Sequence, residues 1–206
     1  MKLLCISDTV EPVLYGPGLN DYASEVDAVI SCGDLPFEYL EYIVTFLGRP
    51  LYYVRGNHDP ESHRKVPGGC IPLDGEIVDA DDVVLAGLSG CRLYSGGPNQ
   101  YTEREMSLRA WRLSMRLRMR ALLRRPKPLV LVTHSPPFGI GDGEDPAHIG
   151  FRSFVRLIDR HQPPLWLYGH VHLYGAEPVR VRERGTTRLV NVYGHQIFDI
   201  GGSTDA

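Results

Sequence analysis

Seven short apolar runs divide this chain of 206 residues, and most stop abruptly at a polar side chain of metal-binding type. Residues 2–7 stop at Asp8, and 27–32 stop at Gly33-Asp34. Residues 50–55 stop at Gly56-Asn57-His58-Asp59. A fourth run covers 83–88. Residues 129–133 stop at His134, residues 165–168 stop at Gly169-His170-Val171-His172, and 187–193 form the seventh run. Runs this short and continuously apolar read as strands covered on both faces.

Helical patterns sit between several of these runs. Residues 37–47 place Tyr39 or Leu40, Ile43 and Leu47 on one side. Residues 151–161 do the same with Phe151, Phe154, Val155 and Ile158. The longest pattern, 102–125, is stopped by Pro126. Strand and helix alternate, then strands follow without helices, which predicts a layered α/β domain around mixed sheets. No repeat or linker divides the chain, so residues 1–206 read as a single domain. The Gly-, Pro- and Asp-rich loop 136–150 is the candidate active-site loop.

In α/β sheets, ligands bind beyond the carboxyl ends of the strands. Asp8, Asp34, Asn57, His58, His134, His170 and His172 all fall there. Carboxylates, an amide oxygen and imidazoles together suit Mn, Fe, Zn or similar ions better than Ca or a thiolate site. Two cations ~3.5–4 Å apart need a bridging carboxylate; a hydroxide between them can attack phosphorus, and an unligated His can protonate the leaving oxygen.

These motifs, in this order, resemble the calcineurin-like metallophosphoesterase family, in its small phosphodiesterase-type branch. Gly33-Asp34, Gly56-Asn57-His58-Asp59, His134 and Gly169-His170-Val171-His172 carry the resemblance. It implies a four-layer sandwich, two mixed β-sheets flanked by helices. It implies a phosphoric ester hydrolase, a phosphodiesterase more than a monoesterase, using metal-activated hydroxide. One or two divalent ions (Mn favoured, or Fe, Zn or Ni) are implied as cofactors. By the same resemblance Asp34 bridges the metals. Asn57, His134 and His170 complete one site, and Asp8 and His172 belong to the other. His58 becomes the catalytic acid, supported by a hydrogen bond to Asp59, and Asn57 and His58 contact substrate. His148, in the candidate loop, can reach over the metals to a substrate phosphate.

One position departs from the family pattern. Its first motif is Asp-x-His, and here it reads Asp8-Thr9-Val10. Valine cannot coordinate a metal, so the first site is weakened. Glu11 is a substitute in sequence only, because neighbouring positions on an extended strand point apart. The alternative to an enzyme is therefore a non-catalytic scaffold or ligand-binding protein that kept the fold.

The remaining features bound the partners. Lys plus Arg number 22 against 25 Asp plus Glu, a net charge of −3, which argues against a dedicated polyanion binder. No apolar run reaches the roughly 18 residues of a membrane helix. The N-terminal sequence turns acidic too early for a secretory signal, so a cytoplasmic location is expected. The scattered Cys5, Cys32, Cys70 and Cys91 read as small buried hydrophobes. His63, His161 and His195 read as structural or surface residues. Arg109, Arg112, Arg116 and Arg120 form a stripe on the 102–125 helix, beside Met106, Ala110, Leu113 and Leu117. That stripe reads first as a solvated basic face, then as a surface for a polyanion or acidic partner. Nucleic acid has little support, since Trp111 is the only aromatic interleaved with the arginines. A homo-oligomer through Trp111 and Met115 also stays open.

Overall fold

A computed structural model describes residues 1–61, 65–174 and 180–200, so His63 lies outside the described residues. The chain runs through β1 (Lys2–Ser7), α1 (Leu19–Ala23), β2 (Ala28–Ser31), α2 (Phe37–Leu47), β3 (Leu51–Tyr53) and β4 (Cys70–Pro72). Then come β5 (Ile77–Ala80), β6 (Val83–Leu88), the short β7 (Cys91–Arg92) and β8 (Gln100–Tyr101), and α3 (Glu103–Leu123). The last part holds β9 (Leu129–Thr133), α4 (Arg152–His161), β10 (Leu165–Tyr168), β11 (Val181–Arg184), β12 (Thr187–Asn191) and β13 (Gly194–Asp199).

Two mixed sheets result. One has the order β13-β1-β2-β3-β4, with β1 to β4 parallel and β13 antiparallel at the edge. The other has the order β11-β12-β10-β9-β6-β5, with antiparallel strands at both edges. Side chains alternate along each strand, so one sequence run serves two layers. Leu3, Cys5 and Ile30 face Leu85, Val130 and Leu167 in the core between the sheets. Leu4, Ile6 and Val29 face Leu19, Phe37 and Ile43 on α1 and α2. Leu88, Leu131 and Trp166 face Met106, Leu113 and Phe154 on α3 and α4. The result is the expected helix–sheet–sheet–helix sandwich, and burial on both faces explains the continuously apolar strands.

Local chemistry sets the helix ends. Thr102 caps α3: Glu105 N–H donates to its Oγ1, and the Glu105 carboxylate accepts from the Thr102 N–H at 2.8 Å. Gly48 closes α2 in the left-handed conformation, with φ 58°. α4 begins at Arg152, and Leu157 takes the buried place expected of Val155, which is half-buried. Cys5, Cys32 and Cys91 are buried as expected, whereas Cys70 is half-buried.

The arginine stripe needs correcting. Three of its members meet acidic partners on or beside β5, a strand absent from the sequence reading. Arg109 pairs with Asp74 at 2.5 Å, Arg116 with Glu76 at 2.7 Å, and Arg120 with Asp79. These carboxylates neutralise a face expected to be solvated or free for a polyanion. His161 and His195 are structural, as expected. His161 Nε2 lies 2.8 Å from Ser114 Oγ, and His195 stacks edge-on against Tyr22.

Candidate metal centre

The carboxyl ends of both sheets meet at one rim, and five segments deliver polar side chains to it. Asp34 follows β2, Asn57 and His58 follow β3, His134 follows β9, and His170 follows β10. Asp8, just past β1, reaches the same place. Asp8, Asp34 and His170 have left-handed backbones, with φ of 64°, 56° and 66°. Such turns fold the chain sharply at the strand ends and aim the side chains inward. Close approach requires glycine at two flanking positions. A Cβ on Gly56 would lie 1.9 Å from Asp34 Oδ1, and one on Gly169 would lie 1.9 Å from Ser7 Oγ.

Among the described residues, donor atoms within 4.8 Å of one another come from Asp34, His134 and His170, which could hold a metal ion. Asn57 joins them, with Oδ1 3.2 Å from His134 Nε2. Asp34 Oδ2 lies 3.3 Å from the same nitrogen. Main-chain groups fix the two imidazoles and Asp34. The Cys32 carbonyl accepts from His134 Nδ1 at 2.8 Å, and the Ala147 carbonyl accepts from His170 Nε2 at 2.8 Å. The other ring nitrogen of each is thereby left free to coordinate, His134 Nε2 and His170 Nδ1. His58 N–H donates to Asp34 Oδ1 at 2.8 Å. Tyr94 OH accepts from Asn57 Nδ2 at 3.2 Å, which turns the amide oxygen inward.

The electrostatics show what the cluster lacks. Burial disfavours a charge on His134, yet the neighbouring Asp34, by charge and hydrogen bond, and then Asp8 push it up to about 9. Burial would raise Asp34, but the charge and hydrogen bond of His134, with the His58 N–H, hold it down to about 2. Burial and the positive His134 pull His170 down to about 3. Three lone pairs, on Nε2, Oδ2 and Oδ1, thus face one another, and only a proton or a cation can satisfy them. An oxygen, amide and imidazole donor set of this kind fits a divalent transition ion.

The second half of the rim is looser. Asp8 Oδ2 accepts from His170 N–H at 2.9 Å, and burial raises the Asp8 carboxyl. His172 has its Nδ1 3.0 Å from Tyr174 OH and its ring 4.7 Å from that of Tyr193. Val10 is 36% exposed. Glu11 does not substitute: it turns to His195, 3.6 Å away, and its N–H donates to Tyr39 OH.

Asp8, Asp34, Asn57, His58, Ala147, His148, His170 and His172 line one cavity of about 370 Å³, together with Tyr94. The candidate loop does border it. His148 stacks 4.9 Å from His170 and pairs with Asp145 at 2.7 Å. His58 is 77% exposed, and its Nε2 lies 3.9 Å from Asp34 Oδ2. The expected Asp59–His58 hydrogen bond is replaced by another. The Asp59 carboxylate accepts from the N–H groups of Gly56 and Asp34 at 2.8 and 2.9 Å, so it braces the turn. Burial and the Asp34 charge raise Asp59 to about 6. Sequence reasoning missed Tyr94, whose signal is an aromatic in a Ser- and Gly-rich loop, and Asn99, which donates to the Gly56 and Asp59 carbonyls.

The profile of the calcineurin-like phosphoesterase family matches residues 1–174, and the chain belongs to that family. Membership supports hydrolysis of phosphoric esters in general, with divalent metals. UPF0046 protein K07C11.7 of Caenorhabditis elegans is 36% identical over 62 residues, which is 30% of this chain and only 20% of that protein. One solved crystal structure aligns over 97% of this chain and 95% of its own at 16% identity, with a TM-score of 0.70. TT1561 of Thermus thermophilus aligns over 94% of this chain and 89% of its own at 16% identity, with a TM-score of 0.62. At such identity these two likenesses are of fold. Among the described residues no helix is long and apolar enough to cross a membrane.

Proposed function

We propose that residues 1–206 act as one domain, a metal-dependent phosphodiesterase whose first metal site is weakened by Val10. The observation that carries this reading is the convergence of Asp34, Asn57, His134 and His170 beneath the exposed His58. Asp34, Asn57, His134 and His170 hold the stronger ion, with Mn favoured. Asp8 and His172, sharing Asp34, hold the weaker one. A divalent cation there supplies positive charge for the phosphoryl oxygens and lowers the pKa of water. Asn57, His58 and His148 orient the phosphate, and the His58 imidazole gives its proton to the departing alkoxide. Among the described residues the cavity lining contains no Lys or Arg. A dianionic monoester usually needs such a clamp, so the lining supports a monoanionic diester.

Val10 favours a second reading, a ligand-binding protein that retained the fold. Turnover of a chromogenic phosphodiester with added Mn separates the two. We expect hydrolysis, largely abolished by Asp34→Asn and strongly reduced by His58→Gln. No turnover in the parent, or turnover indifferent to Asp34→Asn, would sink the enzyme reading.

A further inference from the structure

The face of α3 turned away from the protein is apolar as well. Leu108, Trp111, Met115, Met119 and Leu122 recur at steps of three and four residues, so they form one stripe. They are 37–85% exposed, with Trp111 at 55%. The opposite face, with Met106, Ala110, Leu113 and Leu117, is already buried. A helix covered on one side only should be polar on the other, so this one is built for two partners. Grooves of about 410 and 150 Å³ flank Trp111, one towards Asp74 and Gly75 and one towards α4.

We propose that this face docks an acidic amphipathic helix of another protein. Arg104, Arg112 and Arg118 border the stripe, and none has a carboxylate partner among the described residues. Their inward neighbours Arg109, Arg116 and Arg120 are paired, so the border alone offers unsatisfied positive charge. The stripe is about 21 Å long, or four turns of a partner helix. Such a helix would lay leucines along Trp111 and Met115, seat side chains in the two grooves, and set carboxylates on the arginines. A second copy of this chain would bring arginine borders together. A bilayer is smooth and fills neither groove, and a polyanion needs a continuous basic track rather than an apolar strip. No residue of the stripe lines the cavity over Asp34, so docking and hydrolysis are separable.

The probe is a labelled helical peptide of about 18 residues, the length of the stripe with its flanks, with leucines on one face and glutamates on both borders. A twin peptide carries lysines in place of the glutamates. Of the protein's two tryptophans, Trp166 is fully buried, so a blue shift on binding reports Trp111. We expect the glutamate peptide to bind at least about tenfold tighter than its twin. The double variant Arg112→Glu and Arg118→Glu should reverse that order with the melting temperature and phosphodiester turnover unchanged. Binding of neither peptide, or equal binding of both, overturns the proposal. So does binding to phosphatidylserine vesicles without peptide binding, or a dimer in sedimentation that Trp111→Ser dissolves.

Discussion

The two halves of the rim cavity are built to different standards. Around His134 three of the four donors are anchored by main-chain groups before any ion arrives, and the fourth, Asn57, by the Tyr94 hydroxyl. The carbonyls of Cys32 and Ala147 hold the two imidazoles, and the His58 N–H holds Asp34. Around His172 the support is uneven: Asp8 is held by the His170 N–H much as Asp34 is by that of His58, but His172 meets only a side chain, the Tyr174 hydroxyl. Ligands already in place lose little freedom on binding, whereas ligands that must be gathered lose more. The difference therefore predicts one tight and one weak site in the same pocket, and Val10 adds a missing donor to the weak side.

The largest effect should come from deleting donors one at a time. His134→Ala should lower metal affinity and turnover by more than the roughly 100-fold that losses of merely supporting groups reach, and His172→Ala by about tenfold or less. Calorimetric Mn titration of both variants checks this, and equal losses would erase the distinction. Next comes pH. In the metal-free protein the folded state keeps the His134 proton from 6.5 up to about 9, where the unfolded state has lost it. Its stabilisation is whole below about pH 6.5 and disappears as pH rises through 9, a fall of up to about 3 kcal/mol. Urea melts should show that fall without metal and a much shallower profile with saturating Mn. An equally shallow metal-free profile would mean that the cluster does not hold the proton. On the acid side His170, held down to about 3, works in the opposite sense. Towards pH 9 the thiols that burial raises, Cys70 and Cys91 among them, add a fall common to both conditions, so the difference between the metal-free and metal-loaded profiles reads His134.

Val10→His should raise bound metal from about one ion per chain towards two, since it restores a donor on the weak side. Elemental analysis reads this directly, and unchanged stoichiometry would show that the missing imidazole is not what weakens that half. Tyr94→Phe should have the smallest effect. It frees the Asn57 amide to turn, and because Tyr94 is 42% exposed the affinity loss should stay near the lower end, about tenfold. A loss as large as that of His134→Ala would make Tyr94 part of the site itself.

Much of this is readable in the sequence, for definite reasons. Strands buried on both faces, such as Lys2–Ser7 and Leu165–Tyr168, leave uninterrupted apolar runs, and their ends announce the rim. Edge strands leave no such run. β5 is only partly buried, and β4 pairs along one side and ends in Pro72, so neither stands out. Without β5 the partners of Arg109, Arg116 and Arg120, which lie 35 to 41 residues away, stay hidden as well. The carbonyls that orient His134 and His170 belong to Cys32 and Ala147, and no side chain signals them. Asp59 falls in the expected turn but meets a different partner. Its carboxylate sits beneath backbone N–H groups, which a residue-type motif does not encode.

The left-handed turns at Asp8, Asp34 and His170 carry a consequence for anyone engineering this protein. Each holds a side-chain-bearing residue where glycine is at ease, a penalty on the order of 1 kcal/mol apiece. A library screened for heat resistance alone, without metal, would therefore reward Asp8→Gly, which also removes a carboxyl disfavoured by burial, but not Asp34→Gly, which gives up the pair with His134. The winners would be sturdier and inert, so selection of this scaffold has to keep the ion in the assay.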